Sequence, residues 1–228
     1  MNSMAEKRSI IGIKHAFFFL AAFLMTNAVL NRPVSAHPHV WVTMTSEIAY
    51  DPTGQVEGVR HAWSFDEAYS AFAVQGLDTN QDGTTSREEL QELAKINTES
   101  LVEFNYFTVV KADGKMQEFA APKDYWLEFD GKNLTLHFTL PLATAIKPAR
   151  TLWVEMYDPT YFVSFSFNEK PDPVTLAGAP AGCSLTVTRP KPPETASLQA
   201  MGETFFDTLS AGSDFGAQFA SRVLVACP

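Results

Sequence analysis

Beyond residue 37 the chain is dominated by apolar and polar residues alternating with a period of two, which predicts a protein built mainly of strands. Val40 to Ile48 and Gln55 to Phe65 flank the turn Asp51-Pro52-Thr53-Gly54, the signature of a hairpin. Glu103 to Lys111, Gln117 to Phe129, Leu134 to Leu140, Thr151 to Tyr157, Tyr161 to Phe167 and Ser184 to Thr188 are rich in aromatic or β-branched residues and separated by turn signals. One region breaks this rhythm. Helical spacing runs from Asp66 to Gly76 and again from Ser86 to Leu101, where Leu90, Leu93, Ala94 and Leu101 share a face. After the stiff segment Pro190 to Pro193, a last helical stretch from about Leu198 to Ser210 offers Phe205, Phe206 and Leu209 to a core. The expected fold is α+β: a mainly antiparallel, sandwich-like β domain with an inserted helix-loop-helix over 66–101 and a C-terminal helix.

The first thirty-six residues stand outside that pattern. Lys7, Arg8 and Lys14 precede the apolar run Ala16 to Met25, which is short for a membrane span, and Val34-Ser35-Ala36 supplies a small-residue cleavage signal. Residues 1–36 therefore read as a cleaved signal peptide. Residues 37–228 read as a single periplasmic domain with no stable membrane anchor. Cleavage removes four basic residues (Lys7, Arg8, Lys14, Arg32) and Glu6, taking the formal charge from -9 to -12. So acidic a chain without a basic stripe excludes the phosphate-driven affinity of a nucleic-acid binder and favours cations as small partners. Export also lets the two cysteines pair, and a Cys183–Cys227 disulfide is expected.

The sharpest local motif is DTNQDGTTSREE, which fits the EF-hand calcium loop. Asp78, Asn80 and Asp82 occupy the positions whose oxygens converge on Ca2+, and Gly83 sits where the loop turns sharply. Thr84 would offer its carbonyl, Ser86 a hydroxyl or a bridged water, and Glu89 the bidentate carboxylate that closes the shell. Thr85 departs from the larger apolar residue usual at the eighth position, and the sequence has no second loop to pair with. The competing reading is an Asx-rich turn in which Ser86 and Glu89 form a capping box. A lone loop suits structural stapling better than signalling.

A second constellation opens the mature chain as His37-Pro38-His39-Val40-Trp41, placing an α-amine and two imidazoles within three residues. Pro38 lacks an amide proton, so a deprotonated-backbone copper mode is excluded. A separate arm must complete the shell, with His61 and Asp158 as candidates. His61 shares its strand face with Val59, Trp63 and Phe65, so a core histidine is the rival reading, and His137 falls on an outer face.

HPHVWV after the signal peptide, WSFDEAYSAF, the DxNxDG loop with EEL, NYFT, YDPTYF and the closing GAQFASRVLVAC together resemble a bacterial periplasmic family of unknown function. That family is labelled as the periplasmic component of an ABC-type transport system and is commonly encoded beside NicO-like nickel/cobalt permeases, with some members implicated in zinc acquisition. The resemblance implies a periplasmic metal-binding partner of an inner-membrane permease. The expected function is transition-metal binding for transport, with zinc first among Zn2+, Ni2+, Co2+ and Cu2+, plus a structural Ca2+ site. A histidine-brace copper protein, carrier or redox enzyme, and a calcium-stapled interaction module are the alternatives. No G-x-S-x-G or H-E-x-x-H pattern occurs, and no enzymatic activity is expected.

Overall fold

A computed structural model describes residues 37–147, 150–191 and 193–228. The signal peptide expected over 1–36 lies outside the described residues. The described chain is a mixed α+β fold, mostly sheet with few helices.

Strand β1 (Val40–Tyr50) alternates Val40, Val42, Met44 and Ile48 inward, and it pairs antiparallel with β2 (Val56–Phe65) across the expected hairpin turn. The turn is closed by Asp51, whose Oδ1 accepts from Thr53 N at 2.8 Å and Gln55 N at 2.9 Å. A six-stranded sheet grows around this pair in the order β5 (Lys123–Phe129), β6 (Leu134–Ile146), β2, β1, β8 (Val163–Phe167). β9 (Val174–Ala177) pairs Ser46 to Ala49 of β1 beyond the reach of β8. Both β8 and β9 run parallel to β1, so this sheet is mixed rather than purely antiparallel.

The second sheet is antiparallel throughout. Its order is β10 (Ser184–Thr188), β11 (Ser221–Ala226), β7 (Thr151–Met156), β3 (Thr108–Ala112), β4 (Lys115–Met116). Inward residues of both sheets join one apolar cluster: Leu134, Leu136, Phe138 and Leu140 of β6 on one side, Leu152, Val154, Met156, Val223 and Val225 on the other. Each fully buried aliphatic side chain there contributes roughly 1.5–3 kcal/mol.

Helix α1 (Glu67–Ala73) starts where Asp66 caps Tyr69 N at 3.0 Å, and α2 (Gln91–Ser100) packs Leu90 and Ala94 into the cluster. Three sequence expectations shift here. The stretch Glu103 to Phe107 is a 3-10 segment (Leu101–Phe107) in which Asn105, Tyr106 and Phe107 take positive φ, so the strand starts only at Thr108. The strand expected from Gln117 begins at Lys123. The C-terminal helix breaks at Gly202 (φ 71°) into α3 (Thr195–Met201) and α4 (Glu203–Asp207), which form a small second cluster through Leu198, Phe206 and Tyr161. β9 and β11 were not expected; β11 lies between β10 and β7.

The disulfide joins Cys183 to Cys227 across 44 residues, fixing the end of β11 to the chain just before β10. Closing a loop of that length contributes about 4 kcal/mol by the chain-entropy relation. The Cys183→Ser/Cys227→Ser variant is expected to lose close to that amount in urea unfolding, with the midpoint of the wild type moving likewise under reductant.

Candidate functional site

The start of β1 carries the terminal histidines. His39 N and Val40 N donate to Phe162 O at 2.9 and 3.3 Å, anchoring the chain to the turn before β8. The rings of His37 and His39 meet edge to face with centroids 4.7 Å apart. His37 stacks on Phe206 of α4 at 4.2 Å, and His39 lies over Phe162 at 4.7 Å. Thus His37 is buried between the first strand and the C-terminal helices, while His39 is exposed.

Burial pushes the His37 imidazole below its ordinary range, and the charge of His39 adds to this. A hydrogen bond with the Tyr161 backbone and the carboxylates of Asp207 and Glu203 pull the other way. The net effect keeps His37 neutral near pH 7.

Asp158 stands in the neighbouring turn, but its carboxylate is engaged in building that turn. Oδ1 accepts from Thr160 N (2.8 Å) and Thr160 Oγ1 (2.9 Å), and Oδ2 from Val163 N (2.9 Å). The 3-10 segment Phe215–Phe219 presses on the same turn: a Cβ at Gly216 would overlap the Asp158 carbonyl oxygen, so only glycine fits.

His61 is elsewhere. It occupies an inward position of β2, is 3% exposed, and stands in register with Ser46 of β1. Its Nδ1 lies 3.0 Å from Ser46 Oγ and its Nε2 3.4 Å from Thr108 Oγ1 on the opposite sheet. The Thr108 hydroxyl donates to Tyr106 O at 2.8 Å, which leaves it to accept from His61 and assigns the Nε2–H tautomer, with Ser46 donating to Nδ1. Burial lowers the His61 pKa to about 3. This is a satisfied core histidine bridging two sheets, as its apolar strand neighbours had suggested, and it does not meet the terminal pair. His137 lies on the outer face, stacked on Trp126 at 3.8 Å and paired with Glu128 at 2.9 Å.

The DTNQDGTTSREE segment is an exposed loop held by its own side chains. Asp78 accepts from Asp82 N and Gly83 N, Asn80 from Asp82 N, and Asp82 from both N and Oγ1 of Thr84. Glu89 ties the two ends together, accepting from Thr79 N at 2.8 Å and from Ser86 N at 2.9 Å. These donors, led by the Ser86 backbone and the Thr79 hydroxyl, hold its carboxyl down to about 2. Gly83 takes φ +86°, as its place in the motif requires. The long flanking helices of an EF-hand are not present: regular helix covers only Glu67–Ala73 and Gln91–Ser100. Between them Leu90 N bonds Ser86 O, but Gln91 N bonds Glu88 O, so the turn after the loop tightens before the helix settles.

Among the described residues no three His, Cys, Asp or Glu side chains converge as a metal shell. The terminal pair supplies two nitrogens, and the loop supplies charged oxygens turned onto its own N–H groups. Sequence reasoning missed Phe206, Glu203 and Asp207 beside His37; the ETFFD run held the signal, but nothing in it points 166 positions back along the chain.

The chain matches the family described as "Protein of unknown function (DUF1007)" over residues 21–227 and belongs to it. It is 24% identical to an uncharacterized protein of Haemophilus influenzae over 208 residues, covering 90% of this chain and 97% of that one. An "Uncharacterized 15.5 kDa protein in trpE 3'region" of Spirochaeta aurantia is 29% identical over 119 residues, covering 52% of this chain and 84% of the relative.

The neutral buried state of His61 has a measurable consequence. Its folded pKa lies below the unfolded value of about 6.5, so the unfolded chain binds the extra proton and stability falls as pH drops from about 6.5 towards 3. His61→Gln is expected to be destabilised at pH 7 but to lack this contribution, up to about 1.4 kcal/mol per pH unit, when urea unfolding of the two proteins is compared between pH 7 and pH 4.

Proposed function

We propose that the chain is the periplasmic metal-binding partner of an inner-membrane permease for a divalent transition metal, and that His37 and His39 capture the ion. The observation carrying this reading is the facing pair of imidazoles at the first described residues, one kept neutral by burial and the other open to solvent. Completion of the shell falls to Glu203 or Asp207, whose charges already act on His37, rather than to His61 or Asp158, which the core and the 158–163 turn occupy. A nitrogen and carboxylate set suits Zn2+ before Ni2+, Co2+ or Cu2+. The disulfide fits an oxidising compartment. The family resemblance supports a NicO-like or ABC-type permease as recipient.

On this reading α4 is a clasp: ordered over the pair by Phe206, it brings carboxylates to the metal and would carry the surface that meets the permease. The 78–89 loop is a calcium staple in which Asp78, Asn80, Asp82 and Glu89 exchange loop N–H groups for the ion.

Calorimetric titration of protein beginning at His37 tests the first part. Saturable zinc binding is expected, abolished in His37→Ala/His39→Ala, weakened about tenfold in Asp207→Asn, and unchanged in His61→Gln. Zinc affinity should fall as the pH is lowered, because a ligating imidazole must be neutral. Zinc binding that survives removal of both histidines overturns it. For the staple, millimolar calcium should raise the melting temperature of the wild type and not of Glu89→Gln, and an unshifted wild type excludes it.

A further inference from the structure

A cavity of about 270 Å³ opens between the edge strand β5 and the residues that lead into α2. Arg87, Glu88 and Gln91 line one side of it, and Tyr125 and Trp126 the other. All five reach solvent: the first three are exposed and the two aromatic residues are half-buried. The volume falls just short of sites for drug-sized ligands and suits a molecule the size of an amino acid.

Arg87 is fixed without its donors being used. Its Cζ lies 3.9 Å from the centre of the Trp126 ring, and the His137 ring lies 3.8 Å from the same indole and within 4° of parallel to it. Two groups so close to one ring centre cannot share a face, so His137, Trp126 and Arg87 form three layers. The ladder between β5 and β6 holds the lower two, with Trp126 in register with His137. A guanidinium over a ring face keeps its N–H donors free for a second partner. Among the described residues the Arg87 side chain makes no hydrogen bond or ion pair, and neither do the side chains of Glu88, Gln91 and Tyr125. Charge then selects the ligand. Arg87 and Glu88 stand beside each other on one wall without bridging, so a plain anion meets the repulsion of Glu88 and a plain cation that of Arg87. A molecule carrying both charges meets neither.

We infer that this cavity is a binding site for a small polar zwitterion, an α-amino acid, whose carboxylate accepts from the Arg87 guanidinium and whose ammonium pairs with Glu88. The planar fork of Arg87 matches a carboxylate with two parallel hydrogen bonds, and its stacking on Trp126 sets the fork in place before the ligand arrives. Gln91 and Tyr125 offer an amide and a hydroxyl to a polar side chain.

The test is calorimetric titration of the mature protein in metal-free buffer with L-glutamine and L-serine as probes, and with N-acetyl-L-glutamine and L-glutamine amide, which each lack one of the two charges. At least one amino acid is expected to bind saturably, with both one-charge analogues at least about tenfold weaker than L-glutamine. Arg87→Lys, which keeps the charge and loses the fork, should weaken L-glutamine about tenfold. Glu88→Gln should weaken L-glutamine likewise and leave N-acetyl-L-glutamine no weaker than in the wild type. Both substitutions are at exposed positions, and thermal melting of each variant controls for folding. His37→Ala/His39→Ala should bind as the wild type does, which separates this site from metal capture. Failure of both amino acids to saturate, N-acetyl-L-glutamine binding as tightly as L-glutamine, or Arg87→Lys binding as the wild type does overturns the inference.

Discussion

Everything on the functional side of this molecule hangs from the central place of β1 in its sheet. Strands on both sides bond it, β2 on one edge and β8 followed by β9 on the other, while Val42, Met44 and Ile48 anchor its inner face in the core. A strand held along both edges cannot slip register without turning its inward side chains to the wrong face. The chain therefore emerges at His39 and His37 in a defined direction, onto the 158–163 turn. The histidines are short extensions of a strand paired along both edges.

The second sheet supports that geometry from below, and one polar link between the sheets is His61. Its two nitrogens reach Ser46 and Thr108, so a titratable group sits in the apolar layer without an unpaired atom. The C-terminal segment closes the other side: Phe206 stacks on His37, the 215–219 segment packs onto the Asp158 turn, and the disulfide fixes the end of β11. The first described residues and the C-terminal helices thus share one small region.

Much of the fold was legible because a half-buried strand writes its face in alternate residues. β10 was read to the residue, and β1, β2, β7 and β8 to within two, while β6 runs on past the expected Leu140 to Ile146. Short strands such as β9 carry too few residues for a pattern, and β11 sat inside a motif read for its resemblance rather than for its alternation. The stretch 103–107 is aromatic enough for a strand, yet three consecutive residues with positive φ override that preference. At the site, spacing identified His37, His39 and the 78–89 loop as chemically unusual, and the strand pattern warned that His61 faces the core. What spacing could not give was the company these residues keep. Glu203, Asp207 and Phe206 reach His37 only through tertiary packing.

The central claim is that the two terminal imidazoles are metal ligands in the mature protein. X-ray absorption at the zinc edge, on protein beginning at His37 and loaded with one equivalent, addresses it directly. The account predicts a shell of nitrogen and oxygen neighbours near about 2.0–2.1 Å, with outer-shell scattering from two imidazole rings. A spectrum of oxygen neighbours alone, without imidazole scattering, would contradict it.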